Sequence, residues 1–155
     1  SVDTYRKTSL QADINLLDRS FVSVSAHVYA LYELGLADIR GAYIGLFKKK
    51  IEEIIFPDAF IWVHCGYDTS RTRCLRVNNK KKTEDIYLSN EYFDSIERFN
   101  ANWVLSVNGC VINTEENDLS DLWCSGVHNK IFRNLGTNPN DKTKIFDNLR
   151  RCLDL

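Results

Sequence analysis

Ala59-Phe60-Ile61-Trp62-Val63-His64-Cys65 is a nearly unbroken apolar run, interrupted only by one imidazole near its end. Because its apolar residues do not alternate with polar ones, the run predicts a strand buried on both faces, as in a parallel sheet. Two further runs of this kind span residues 13–17 and 110–113. Since segments with helical periodicity lie between these runs, the sequence predicts an α/β domain built on a parallel sheet.

The predicted helices are bounded by residues that commonly begin or end helices. Gly35 follows the first helical pattern and is a typical helix stop, while Pro57 ends the second. The polar, basic stretch 78–84 has no apolar periodicity and predicts a loop. The helical patterns span residues 23–34, 39–55, 69–77, 90–105, 118–135 and 141–153.

Length and composition predict a single domain over residues 1–155, because a chain of this size can bury one core. Lys and Arg number 20 and Asp and Glu 21, so the net charge of -1 provides no general attraction for nucleic acid. We therefore expect no nucleic-acid partner, and the lack of a long apolar stretch predicts no membrane partner. Five scattered cysteines without a Cys-x-x-Cys pair favour reduced thiols and an intracellular location, in the cytoplasm or an organelle matrix.

Asp18 and Arg19 come directly after the apolar run 13–17. In an open α/β sheet the carboxyl ends of the strands face the ligand crevice, so this pair is expected there. A carboxylate beside a guanidinium suits phosphoryl transfer, because the acid holds Mg²⁺ or a proton while the base neutralises phosphate charge. The alternative is an ordinary surface ion pair at the end of a strand.

Several short motifs follow one another in a distinctive order. Asp18-Arg19-Ser20 precedes a helix, Pro57-Asp58 opens the second strand, Cys74-Leu75 ends a helix before basic residues, and Asn90-Glu91-Tyr92-Phe93 begins the next helix. This order resembles the deoxynucleoside kinases and their thymidylate kinase relatives over about residues 15–115. The resemblance implies a three-layer fold of the P-loop kinase type, with helices on both faces of a mostly parallel sheet.

The resemblance also implies roles for particular residues. Asp18 would help to place Mg²⁺ or the acceptor hydroxyl, and Arg19 would stabilise the transferring phosphoryl group. In the family's lid the basic residues close over the ATP phosphates. The acids that follow the lid contact the nucleoside, and Asp85 would occupy the position of the acid that contacts the sugar 3′-hydroxyl. The matching lid residues here are Arg76, Lys80 and Lys82, and the matching acids are Glu84 and Asp85. For the lysines, a solvated charged loop is the alternative interpretation.

The chain departs from the family at its phosphate-binding loop. None of the seven glycines is followed by Lys, so the Gly-x-x-x-x-Gly-Lys-Ser/Thr motif does not occur. Lys80 and Lys82 replace the planar guanidinium groups of the lid's Arg-x-Arg pair, which weakens bidentate phosphate binding. In the family fold a further central strand would lie beside the strand 59–65. We therefore expect an upstream segment, a partner chain or a rebuilt sheet order to supply that neighbour.

Two functions from different classes follow. The first is a deoxynucleoside or deoxynucleotide kinase that uses ATP and Mg²⁺ and needs a phosphate loop from upstream or from a partner. The alternative is a catalytically inactive kinase-like subunit for binding or assembly. The helix 39–55 is a candidate homodimer surface, although packing against its own sheet explains the same apolar pattern.

Overall fold

The computed structural model describes residues 20–54, 56–77, 89–115 and 141–155. These residues form five helices and one small parallel sheet, which confirms the expected mixture of helices and parallel strands. The strands are β1 (Ile61–His64) and β2 (Cys110–Asn113). The helices are α1 (Phe21–Glu33), α2 (Arg40–Lys50), α3 (Tyr67–Val77), α4 (Asn90–Ser106) and α5 (Lys142–Cys152). The predicted strand 13–17, loop 78–84 and helix 118–135 lie outside the described residues.

The sheet consists of β1 and β2, paired in parallel with His64 opposite Asn113. Two of the three predicted strands are therefore confirmed. Burial of β1 on both faces is wrong for this structure, because exposed and half-buried side chains alternate along the strand. Val63 is 62% exposed, whereas Trp62 and His64 are half-buried on the face that meets α4. The strand therefore has one covered and one open face.

Three helices end in the same hydrogen-bonded motif. After α1, Gly35 adopts a φ of 65° and its N–H donates to the carbonyl of Tyr32, while the next N–H donates to Leu31. Asn108 after α4 and Asp154 after α5 take the same left-handed conformation, with φ values of 53° and 58°. This pattern satisfies carbonyls that a helix end would otherwise leave unpaired. The sequence predicts only the first of these three stops, because Gly is the usual residue there.

Helix beginnings are also fixed by side chains. Ser20 accepts a hydrogen bond from the N–H of Val22 at 3.2 Å, so α1 begins at Phe21 rather than at the predicted residue 23. Ser89 accepts from Tyr92 at the start of α4, and Asp141 accepts from two N–H groups at the start of α5. Such caps pair the first free N–H groups of a helix and define where it begins.

The core lies where α1, α4 and α5 pack together beneath the sheet. Trp103 and Phe99 of α4 are 1% and 0% exposed, and Leu149 of α5 is also fully buried. Phe21 touches the rings of Phe60 and Trp103 with centroid distances of 6.1 and 5.6 Å. The beginning of α1 therefore lies close to the amino-terminal end of β1. Further core side chains come from α1, α2 and the segment before β1, namely Ala26, Val28, Tyr29, Phe47 and Phe56.

Candidate functional site

The parallel pairing of β1 and β2 brings two chain segments together at the carboxyl edge of the sheet. His64 ends β1, and Thr114 directly follows β2. The carbonyl oxygen of His64 accepts hydrogen bonds from the N–H of Thr114 at 2.9 Å and from its hydroxyl at 3.1 Å. Because ligands in open α/β sheets bind beyond the carboxyl ends of the strands, this edge is the candidate site.

Helix α3 is attached to this edge by two side chains one turn apart. The hydroxyl of Thr69 donates to the carboxylate of Glu115, and Nη1 of Arg73 donates to the hydroxyl oxygen of Thr114 at 3.0 Å. Thr69 and Arg73 are separated by four positions, so they lie on the same face of the helix. We call the following group the carboxyl-edge cluster: His64, Gly66, Thr69, Arg73, Thr114 and Glu115.

Glu115 approaches the first turn of α3 very closely. A Cβ atom on Gly66 would lie 3.1 Å from both carboxylate oxygens of Glu115, so the lack of a side chain at Gly66 permits the approach. The pKa of Glu115 is lowered, first by the hydrogen bond from Thr69 and further by the N–H of Gly66 and the charges of His64 and Arg73, against a smaller desolvation effect. The cluster therefore favours the ionised carboxylate.

A second carboxylate lies beneath the same edge. Nε2 of His64 is 2.8 Å from Oε2 of Glu97 on α4, and the edge of Trp62 faces the imidazole with a centroid distance of 5.0 Å. Burial raises the pKa of Glu97, and the nearby charge of Asp94 adds to this, while His64 opposes it. An imidazole and a carboxyl group at this distance can exchange a proton with each other.

The exposed face of α3 carries the cations of the site. Thr69, Arg73 and Arg76 follow one another at spacings of four and three residues, which places them along one face of the helix. Arg73 and Arg76 are both exposed. Guanidinium groups present planar sets of donors that match phosphate and carboxylate oxygens. This face therefore carries two exposed cations, one of which, Arg73, contacts the carboxyl end of β2.

Arg76 is thus the one sequence-assigned site residue that the structure places. The remaining assigned residues lie outside the described residues: Asp18, Arg19, Lys80, Lys82, Glu84 and Asp85. Their proximity to Arg76 stays a prediction. The sequence analysis did not assign Thr69, Arg73, Thr114 or Glu115 to the site. Their position directly after two predicted strands is the signal that could have identified them.

The two motif-bearing helices α1 and α4 contact each other through polar side chains. Glu33 accepts hydrogen bonds from Arg98 at 2.7 Å, Tyr29 at 2.9 Å and Ser95 at 3.2 Å. Elsewhere on this contact, Nδ1 of His27 is hydrogen-bonded to the hydroxyl of Tyr92, and the two rings stack. This network aligns the two helices.

The described residues contain neither a metal-binding cluster nor a membrane-spanning helix. Within these segments, no group of three or more His, Cys, Asp or Glu side chains is arranged to hold a metal ion. No helix in the same segments combines the length and apolar character needed to cross a bilayer. The four cysteines in this part of the chain, Cys65, Cys74, Cys110 and Cys152, are free thiols.

Comparisons of the whole chain with protein-family models, with curated proteins and with solved structures found no match.

Proposed function

We propose that this chain is a nucleotide-binding protein of the deoxynucleoside kinase type that transfers a phosphoryl group from ATP to a deoxynucleoside or deoxynucleotide. One observation carries the proposal: α3 follows a parallel strand, and Arg73, on the helix face that it shares with Arg76, contacts Thr114 at the carboxyl edge of the sheet. Phosphoryl transfer depends mainly on positioning and on neutralising phosphate charge. Two guanidinium groups at this edge suit that task.

The position of Arg73 supports a role in binding phosphate. Its bond to the neutral hydroxyl of Thr114 places the guanidinium beside the carboxyl end of β2. A guanidinium has five N–H donors, so this single bond uses only a small part of its capacity. Arg76 lies one turn further along the same face and extends the cationic surface toward residues 78–84, where the proposal places Lys80 and Lys82.

The packing of α1 against α4 also supports the proposal. Both helices carry the motifs that resemble the kinase family, and they meet through Glu33 and Arg98 and through His27 and Tyr92. The three-layer fold is also part of the proposal. In that fold the strand 13–17 joins the sheet that contains β1 and β2, and an upstream segment or a partner chain would have to supply the helix layer on the open face of β1.

The proposal requires Asp18 and Arg19 to act on the same bound substrates as Arg73. Helix α1 begins next to Phe60, at the amino-terminal end of β1, and the strand is about 13 Å long at 3.3 Å per residue. No aspartate or arginine side chain is that long, so in the proposal the bound substrates, and not a direct contact, would connect Asp18 and Arg19 with Arg73. Mg²⁺ is commonly held by one or two carboxylates together with substrate phosphates, so Asp18 and the ATP phosphates would form its contacts.

A second candidate function is binding or assembly without catalysis. The observation that favours it is that no glycine of the chain is followed by Lys, so the usual phosphate loop does not occur in these 155 residues. In this case the carboxyl edge would still bind a nucleotide or a partner's anionic group, but no phosphoryl transfer would follow.

The decisive experiment measures ATP binding and ATP-dependent phosphate transfer to thymidine, deoxycytidine and their monophosphates by the intact protein. Transfer that is weakened by Arg73→Ala, with KM for ATP raised about ten-fold or more, supports the kinase. Arg71→Ala is the matched control, because Arg71 is an exposed arginine on the same helix that is not on the Thr69–Arg73–Arg76 face. ATP binding without transfer supports the second candidate. A protein that does neither excludes the kinase and also excludes nucleotide binding as the second candidate's function.

A further inference from the structure

We infer that Glu115 is a positioning residue for the phosphate-binding face of α3, acting through Thr69 and Gly66 to hold Arg73 in place. This inference rests on the proposed function. It starts from the two contacts that join α3 to the carboxyl end of β2, namely Thr69 with Glu115 and Arg73 with Thr114. Two contacts one turn apart restrict both the rotation and the tilt of the helix, whereas one contact would leave it free to pivot.

The first contact acts at the start of the helix. The carboxylate of Glu115 accepts from the hydroxyl of Thr69 and lies against the backbone of Gly66, just ahead of the first residue of α3. Negative charge at a helix beginning is favourable because the first N–H groups there carry partial positive charge. Both oxygens of Glu115 lie 3.1 Å from the place that a Gly66 Cβ would occupy, so the fit tolerates no added atom without movement.

The second contact restrains the helix fully only together with the first. Thr114 is itself fixed by two hydrogen bonds to the carbonyl of His64, so losing the Thr69 contact leaves only the Arg73 contact of the two, and α3 can then pivot about it. The charge of Glu115 also acts on Arg73 directly. Loss of the contact between Thr69 and Glu115 therefore lets the guanidinium shift from its position beside β2. A guanidinium that is displaced from its position binds phosphate more weakly, even when every binding residue is present.

Electrostatics alone makes the opposite prediction. Removing a negative charge close to Arg73 should tighten the binding of an anion, because the local potential becomes more positive. Glu115→Gln separates the two ideas. Positioning predicts a KM for ATP raised about ten-fold with kcat changed much less, whereas a purely repulsive carboxylate predicts a lower KM.

Three variants and one control complete the experiment. Thr69→Val removes the hydroxyl without changing charge and should raise KM for ATP as Glu115→Gln does, while Thr69→Ser keeps the hydroxyl and should behave like the wild type. Gly66→Ala shifts the carboxylate by only a few tenths of an ångström, so it should raise KM less than Thr69→Val does. Asp68→Asn is the charge control. Asp68 is an exposed acid in the first turn of α3, so its removal should leave KM unchanged if positioning is the cause.

An independent measurement follows the backbone N–H of Gly66 by NMR in the full chain. In the wild type its chemical shift should change with pH as Glu115 titrates below its ordinary pKa of 4.5. In Glu115→Gln that change should disappear. This readout does not require activity, so it tests the contact even if the protein transfers no phosphate.

The outcomes divide clearly. A raised KM in Glu115→Gln and Thr69→Val, together with the Gly66 titration, supports the inference. Any one of three results overturns it: a lower KM in Glu115→Gln, an unchanged KM in Thr69→Val, or a Gly66 chemical shift that does not change as Glu115 titrates. If the wild type binds no ATP, the proposed function fails and the role in phosphate binding fails with it. The Gly66 signal then still decides whether Glu115 holds the start of α3.

Discussion

The guanidinium of Arg40 donates a hydrogen bond of 2.9 Å to the backbone carbonyl of Leu153, across 113 positions of sequence. The same nitrogen donates to the carbonyl of Asp154 at 3.1 Å. The other two nitrogens form a bidentate salt bridge with Asp38, at 2.8 and 2.9 Å. The guanidinium group lies over the ring of Tyr32. Arg40 thus joins the beginning of α2 to the end of α5 and pairs two carbonyls there.

Replacing Arg40 with Lys should destabilise the fold although the charge is kept. An ammonium group cannot reproduce two parallel bonds to Asp38 together with bonds to two carbonyls. We expect Tm to fall by roughly 5 °C, and by more in Arg40→Ala, as measured by calorimetry. Arg150→Lys on α5 is the control, because Arg150 is exposed, and it should melt like the wild type. Equal melting temperatures for Arg40→Lys and the wild type would contradict this role.

Gly109 and Gly45 should respond to alanine in opposite directions. A Cβ at Gly109 would lie 2.9 Å from the backbone carbonyl oxygen of Phe60, whose bond to Cys110 joins the two strands. We expect Gly109→Ala to lower the free energy of unfolding by about 2 kcal/mol or more. Gly45 lies inside α2 with nothing within 4 Å of an added Cβ. Gly45→Ala should therefore raise stability by roughly 0.5 to 1 kcal/mol.

Denaturant unfolding of both glycine variants tests this pair of predictions. A stable Gly109→Ala protein with unchanged unfolding would show that the close approach of Gly109 to Phe60 does not exist in solution.

Tyr29 should titrate at a higher pH than an ordinary tyrosine. Burial, together with its hydrogen bond to Glu33 and that group's negative charge, raises its pKa to about 12 from 10.0. Because the folded state favours the neutral phenol, the resulting stability is present below pH 10 and is lost as the pH rises toward 12. The stability difference between the wild type and Tyr29→Phe should shrink over that interval.

Phenolate absorbance during an alkaline titration provides the measurement. Tyr29 and Tyr43 should both titrate late in the wild type, because burial also raises the pKa of Tyr43, and Tyr29→Phe should reduce the late step without abolishing it. Titration of all seven near the ordinary value would refute the prediction.

Arg19 should be needed for the chemical step if the protein is a kinase. Its guanidinium would neutralise charge that develops on the transferring phosphoryl group, so we expect Arg19→Ala to lower kcat by about two orders of magnitude or more. Binding of ATP should change much less. The same assay with Arg71→Ala as a control separates a local effect from a general loss of cationic charge. An unchanged kcat in Arg19→Ala would remove the assigned role.

The helices could be predicted well because their signals are local. The helical patterns placed four helices within two residues of their observed bounds, and Gly35 marked the end of α1 correctly, but α2 ends at Lys50 and not at the predicted residue 55 before Pro57. The other two left-handed stops, Asn108 and Asp154, were not predicted, because these residue types occur in many settings. The open face of β1 was missed for a different reason. An apolar run shows that a strand prefers burial, but it does not show which layers are present to bury it.

The candidate site was harder to predict than the fold. Arg76 was assigned by the order of motifs, whereas Thr69 and Glu115, which are 46 positions apart, were not connected. Neither residue is unusual in sequence. They become neighbours only because β1 and β2 pair in parallel and α3 begins three residues after the end of β1.

Local sequence alone determined the alternation of helices and strands, since periodicity and capping depend on residues within a few turns of one another. The tertiary structure alone decided that Thr69 and Arg73 meet the end of β2 and that Arg40 reaches the end of α5. The physical reason is that hydrogen bonds between distant segments form only where the two segments are held next to each other. The packing of the whole core sets that arrangement, and the residues that form the bonds do not set it by themselves.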